Sequence, residues 1–309
     1  MERNFPGGVW PVMLTPFKEN AIDYKALEEL IEWYIRNNVS GLFSVCQSSE
    51  MFFLTDEEAT NLAAFITKKV NGRIPVIASG HTADTIEKQA KQVKNMYSTG
   101  VDAVILITNR LANEEENDTT FETNVNQLLD LIPSHIPLGF YECPVPYKRL
   151  IQPGILRRLA QTGRFYFLKD TCCDQQQIEG KINAVEGTAL RIYNANTATL
   201  LDTLKAGVFG YSGVMANFQP DLYAWLVNNY EKEPIRAKEL QNFLSMSALI
   251  ERQHYPANAK YYLQTLGLSW LEDTRVNANQ VLNSTEKTEV RQLKELTNEY
   301  RKRLEKWIV

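Results

Sequence analysis

The chain has 309 residues, 44% of them hydrophobic and 23% charged, with a formal net charge of -4 and a pI near 5.6. That balance belongs to a folded, water-borne protein with a sizeable core, and the acidic charge, with no basic run interleaved with aromatics, argues against nucleic acid as a partner. Apolar stretches such as AVILI at 103–107 are far too short to span a bilayer, and the opening MERNFPGGVW has no targeting pattern, so a cytoplasmic protein without a membrane partner is expected.

Short apolar runs rich in β-branched and aromatic residues recur about every 25 to 35 residues, with helical patterns between most of them. In chain order they are VWPVML (9–14), GLFSVC (41–46), PVIASG (75–80), AVILIT (103–108), PLGFYEC (137–143), FYFLKD (165–170), LRIYNA (190–195) and GVFGYSG (207–213). Near-continuous apolarity within each run predicts strands buried on both faces, as in a parallel sheet. After the first run, residues 24–38 set Leu27, Leu30, Ile31, Tyr34 and Ile35 on one helical stripe. Asp56 is the N-cap candidate of the next helix and Thr82 or Asp84 that of the one after, which Gly100 ends. EEEND at 114–118 reads as a solvated loop and helix start. Eight such units predict an α/β fold, a (β/α)8 TIM barrel of roughly 250 residues. No glycine-rich dinucleotide turn follows the first run to favour a doubly wound sheet. Past residue 220 only helical patterns remain, so a barrel over 1–220 and a C-terminal helical region over 221–309, packed on the barrel, are expected.

A barrel of this kind carries its active site at the C-terminal ends of the strands. Lys169 ends the sixth run directly after Phe165, Tyr166, Phe167 and Leu168. Apolar walls disfavour the ammonium form, and a neutral amine can form an iminium with a carbonyl, an electron sink for the neighbouring C–C bond. The competing reading is a lysine snorkelling into solvent or pairing with Asp170. Tyr141 ends the fifth run, where a phenol can shuttle protons or simply fill the core. After the second run, Ser48, Ser49 and turn N–H groups can bind a carboxylate, with Gln47 beside them, and Glu50 organises that loop. Gly210, Tyr211 and Ser212 end the eighth run and complete the candidate substrate-binding set; Gly210 and Gly213 there either let a backbone approach a ligand or serve as turn glycines. His81 reads as a loop histidine at the edge of the pocket, and His254 is given no role. Cys46, Cys143, Cys172 and Cys173 show no metal-ligand or disulfide spacing, which predicts reduced thiols and no metal.

Together these residues resemble the family of dihydrodipicolinate synthase and N-acetylneuraminate lyase, the pyruvate-dependent class I aldolases. The resemblance runs from GVWPVMLTPF to about YPANAKYYLQTLG at 255–267, with TPF at 15–17, CQSSE at 46–50, Y-x-x-P at 141–144, LKD at 168–170 and GYSGVMAN at 210–217 as landmarks. It implies a homo-oligomer, tetramer or dimer, acting on a small 2-oxo acid and an aldehyde. Lys169 would form the imine, Tyr141 would relay protons, and Ser48 with Ser49 would cradle the pyruvate carboxylate. The covalent imine with Lys169 would serve in place of any cofactor.

Departures from the pattern bear on substrate. Cys46, Gln47, Ser48 and Ser49 stand where the family carries a G-T-T-G loop; Pro146 replaces an arginine that holds the synthase's second substrate; Arg110 and Leu111 replace an aromatic pair. These losses count against a true dihydrodipicolinate synthase and toward a lyase or aldolase acting on a sugar-acid-like or other 2-oxo acid. Synthase activity is the alternative, with a catalytically impaired 2-oxo-acid-binding barrel, a phosphate-binding isomerase barrel, and a hydratase or decarboxylase using the same imine as further rivals.

Overall fold

The computed structural model describes residues 5–269, 273–276 and 281–306. Each apolar run contributes one strand of a single parallel sheet: β1 (Gly8–Val9), β2 (Leu42–Phe43), β3 (Val76–Ala78), β4 (Ala103–Ile107), β5 (Leu138–Tyr141), β6 (Phe165–Asp170), β7 (Arg191–Asn194) and β8 (Gly210–Tyr211). Every strand pairs in parallel with its sequence neighbour from β2 to β8, and β8 returns to pair with β1. The ring closes where Val12 bridges Phe43, with Phe43 N donating to Pro11 O at 3.0 Å and Met13 N to Phe43 O at 2.9 Å. The expected (β/α)8 barrel is therefore the fold.

Residues alternate between the inside and outside of such a barrel. Inside, Phe167 stacks on Tyr193 with ring centroids 4.2 Å apart, and Trp10 meets both edge-on at 5.2 and 5.6 Å. From Phe167 onward the alternation puts Lys169 inside and Leu168 and Asp170 outside; on β5 it puts Tyr141 inside and Phe140 outside.

Helices α1 (Tyr24–Arg36), α2 (Asp56–Val70), α3 (Ile86–Ser98), α4 (Asp118–Leu131), α5 (Pro153–Gln161), α6 (Gln175–Val185), α7 (Leu200–Ala206) and α8 (Pro220–Asn229) ring the sheet. The stripe on α1 is buried at Leu27, Leu30, Ile31 and Tyr34. Two caps differ from expectation. Thr55, not Asp56, caps α2, because Thr55 and Glu58 form a reciprocal capping box that leaves Asp56 to the first turn. Thr85, not Thr82 or Asp84, caps α3, while Gly100 follows its C-cap with a φ of 89°. Between β1 and α1, Phe17–Lys18 and Ala21–Ile22 form a small antiparallel hairpin, turned by Glu19 and Asn20 in the left-handed region.

The boundary expected at 220 falls at the first turn of α8, which buries Leu222, Tyr223 and Leu226. Beyond it come α9 (Pro234–Ser247), a 3-10 turn (Ala248–Arg252), α10 (Ala257–Thr265) and α11 (Ser284–Lys306). The last expected helical residues, 307–309, lie outside the described residues. Among the described residues no helix is long and apolar enough to cross a membrane, and no cluster of three or more His, Cys, Asp or Glu side chains could hold a metal ion.

Candidate active site

Parallel pairing sets Tyr141 directly beside Lys169 across β5 and β6. Both side chains point into the barrel at its C-terminal mouth, where they line a cavity of about 300 Å³ with Gln47, Ser48, Lys148, Thr171, Asn196, Gly213, Glu251 and Tyr255. Lys169 is only 4% exposed, and its Nζ lies 4.2 Å from the centroid of the Tyr141 ring. Burial lowers its pKa, against the opposing pull of Cys46, Cys143 and Glu251. Its neighbour Asp170 points the other way, so the ion pair that competed with the imine reading is not formed: Asp170 Oδ2 accepts from Lys181 on α6 at 2.6 Å.

Tyr141 donates its hydroxyl to Gln47 Oε1 at 3.0 Å, and burial raises its pKa well above the ordinary phenol value. Gln47 and Ser48 belong to a 3-10 turn (Gln47–Ser49) entered from Cys46. Ser48 faces the cavity together with Tyr255, whose hydroxyl accepts from Asn217 Nδ2 at 2.9 Å. Ser49 turns away: its Oγ accepts from Cys46 N at 2.6 Å and donates to Cys46 O at 2.7 Å, fixing the turn. Glu50, in the left-handed region, organises the loop as expected from its position. Its carboxylate takes Lys260 Nζ at 2.8 Å and the Arg275 and Val276 N–H groups at 2.5 and 2.8 Å. This ties α10 and the 273–276 segment across the β2 exit.

The eighth-strand candidates are placed differently from expectation. Gly210 faces β1, where a Cβ would stand 1.8 Å from Gly8 O. Tyr211 sends its hydroxyl to Thr197 at 3.1 Å, and Ser212 donates to Trp10 O at 3.0 Å. These three close the barrel, and Gly213 and Val214, just beyond them, reach the cavity.

His81 is fully buried outside the cavity lining, accepting from Ile107 N at 3.1 Å through Nδ1 and meeting Gln89 Oε1 at 2.9 Å through Nε2. Burial lowers its pKa to about 4. His254 pairs with Glu286 at 3.3 Å, away from the site. All four cysteines are free thiols.

Comparison with known proteins gives this barrel a family. The model of the dihydrodipicolinate synthetase family matches residues 5–296. The chain belongs to the dihydrodipicolinate synthetase family. It is 29% identical to the 4-hydroxy-tetrahydrodipicolinate synthase of Clostridium tetani over 83% of this chain and 86% of that one. It is 30% identical to the enzyme of the same name from Thermodesulfovibrio yellowstonii over 74% and 76%. A crystal structure of dihydrodipicolinate synthase from Acinetobacter baumannii complexed with pyruvate superposes with a TM-score of 0.84 at 22% identity, covering 96% of this chain and 99% of that one. As a member of the dihydrodipicolinate synthetase family, the protein is a lyase of the class I aldolase type, working on pyruvate through a lysine imine.

Within that family pattern, the departures have definite places. Pro146 lies in the exposed loop after β5, and two residues on Lys148 enters the cavity lining, its Nζ donating to Thr171 O at 2.7 Å. Arg110 lies 5.3 Å over the Phe52 ring and 3.4 Å from Asp84, while Leu111 is buried. Lys148, Thr171, Asn196, Glu251 and Tyr255 were absent from the sequence-based set. A strand-end pattern could have pointed to Thr171 and Asn196, which directly follow the sixth and seventh runs. No local pattern marks Glu251, which a helical tail folds back over the barrel mouth.

Proposed function

We propose that Lys169 is the imine-forming residue and that the enzyme makes or breaks the C3–C4 bond between pyruvate and an aldehyde. The observation that carries this reading is the buried Lys169 amine beside Tyr141 in a cavity open to a small substrate. The neutral amine attacks C2 of the 2-oxo acid. The Ser48 hydroxyl and the Gln47 side-chain amide, whose Nε2 has no hydrogen-bond partner among the described residues, face the position of the substrate carboxylate. Tyr141 relays protons to the departing carbinol oxygen so that water leaves, the phenol being protonated before and after as its raised pKa requires. In the cleavage direction the iminium takes up the bonding electrons, the aldehyde leaves, and enamine protonation followed by hydrolysis frees pyruvate. The imine supplies the electron sink, so no metal or organic cofactor enters these steps.

For the acceptor, Pro146, Arg110 and Leu111 support an aldehyde or sugar acid other than the synthase's own substrate. The names of the curated relatives support the second reading, synthesis of 4-hydroxy-tetrahydrodipicolinate, with Lys148 in place of the missing arginine. Family membership supports a homo-oligomer, dimer or tetramer, and four free thiols support a reducing compartment such as the cytoplasm. The barrel over 1–220 and the helical region beyond it remain our division of one folding unit.

Borohydride trapping tests the chemistry. With pyruvate, the parent should gain a reduced adduct by intact mass and Lys169→Ala should not; absence of an adduct in the parent overturns the proposal. Assaying the trapped enzyme's parent with the synthase substrates and a panel of aldehydes then separates the two acceptor readings.

A further inference from the structure

Class I aldol chemistry needs a base as well as an imine. A proton must leave C3 of the pyruvate imine before an enamine exists, and Tyr141 is ill suited to take it. Its hydroxyl proton is already given to Gln47, and its phenolate is strongly disfavoured by burial. Cys46 and Cys143 are buried thiols whose pKa values are also raised by burial.

Glu251 differs from all of these. It sits on the 3-10 turn (Ala248–Arg252) that follows α9, and it lines the same cavity as Lys169. No hydrogen bond or ion pair holds its carboxyl among the described residues, whereas the buried carboxylates Glu50, Glu142 and Asp170 are each clamped by a lysine. A half-buried carboxyl left unpartnered and opening onto an imine-forming lysine is costly to keep unless it has work there.

We propose that Glu251 is the base of this site, taking the proton from C3 of the pyruvate imine. This rests on the imine reading given above. The C3–H bond breaks, its proton passes to a Glu251 oxygen, its electron pair forms the C2–C3 double bond, and the iminium pair withdraws to the Lys169 nitrogen. In the reverse step the protonated Glu251 returns the proton to C3. Burial pushes the Glu251 pKa up to about 7, against the opposing pull of Lys169, which suits a group that must both accept and return a proton near neutrality. The charged and titratable groups facing it are Lys169 from β6, Tyr211 from β8, Tyr223 from α8 and Tyr255 from the following loop. Lys148 and Cys173 share its cavity.

The test needs only pyruvate. In deuterated buffer the parent enzyme should exchange the pyruvate methyl protons, read by proton NMR, and borohydride should trap the adduct. Glu251→Gln should still trap pyruvate at Lys169, yet exchange about 100-fold more slowly, the scale of a lost general base. Glu251→Asp should recover part of the rate, and the fall of exchange toward acid pH, centred near 7 in the parent, should vanish in the glutamine variant. Parent-like exchange by Glu251→Gln would overturn the proposal while leaving the imine intact. Loss of trapping together with exchange in both variants would also overturn it, assigning Glu251 to imine formation or to folding. A parent that traps pyruvate without exchanging it would show that no base serves C3. A parent that fails to trap pyruvate at all would instead bring down the imine reading.

Discussion

Tyr141 and Lys169 face each other across two paired strands, and each is followed by a carboxyl that points out of the barrel instead of into it. Glu142 and Asp170 both meet Lys181 Nζ at 2.6 Å, and all three side chains are essentially inaccessible. Burial favours the protonated form of Glu142, with Lys181 opposing and Asp170 adding to the shift. For Lys181 burial opposes charging, but the two carboxyls outweigh it and hold the ammonium above its ordinary range. Glu142 also accepts from Ile151 N at 2.8 Å, so the cluster anchors the loop leaving β5.

Removing the ammonium leaves two buried carboxyls without a counter-charge. Lys181→Met should therefore lose on the order of 3–5 kcal/mol of stability, the usual cost of breaking rather than replacing a buried ionic cluster. Urea unfolding followed by circular dichroism measures this, and a change below about 1 kcal/mol would show that the carboxyls neutralise at little cost.

His81 makes the fold sensitive to acid. Nδ1 accepts the Ile107 N–H and so must stay unprotonated. Its folded pKa, about 4 against an ordinary value of 6.5, means the unfolded chain binds the proton more readily. Stability from this group is therefore complete above 6.5 and drains away as pH falls toward 4, by up to on the order of 3 kcal/mol. His81→Asn should be less stable at pH 7 but lose less on acidification. Unfolding curves for both proteins at pH 7 and 4.5 decide this, and equal losses would assign the acid sensitivity to other groups.

Strand ends were legible because each side chain's direction follows from alternation once the apolar run is recognised. Lys169 and Tyr141 end runs whose inner residues are large and apolar, so their inward aim follows from period two. The same rule explains the misplacements. Ser49 lies in a 3-10 turn that has left the strand, and Gly210 is a strand residue facing its neighbour's backbone, not the mouth. The Thr55–Glu58 box was written in the sequence and overrode the nearer aspartate. Glu251 and Tyr255 were not legible at all, since contact with Lys169 across 82 and 86 positions depends on where the helical tail lands.

The eighth strand offers a direct check on placement. A methyl at Gly210 would collide with Gly8 O, a backbone atom that cannot move without breaking the β1–β8 pairing. Gly210→Ala should cost roughly 3 kcal/mol or more. Ser212→Ala should cost about 1 kcal/mol for the lost bond to Trp10 O. Neither residue lines the cavity, so Ser212→Ala should bind pyruvate as the parent does. A selective rise in KM without a fall in Tm would return Ser212 to the substrate.

Gln47 faces two tasks that a double-mutant cycle separates. Its Oε1 orients the Tyr141 hydroxyl at 3.0 Å, while its Nε2, without a hydrogen-bond partner among the described residues, can meet a carboxylate. Tyr141→Phe should slow pyruvate trapping about 100-fold with little change in affinity, because the phenol acts on the leaving oxygen. Gln47→Ala should slow trapping by about 10-fold and weaken pyruvate binding by a similar factor, the worth of one charge-assisted hydrogen bond. Combined with Tyr141→Phe, the rate effect of Gln47→Ala should disappear, since there is no hydroxyl left to orient, but the affinity effect should persist. Stopped-time trapping across a pyruvate concentration series measures both quantities. Additive losses in rate would instead show that Gln47 touches the reacting atoms themselves and that Tyr141 needs no partner to find its position.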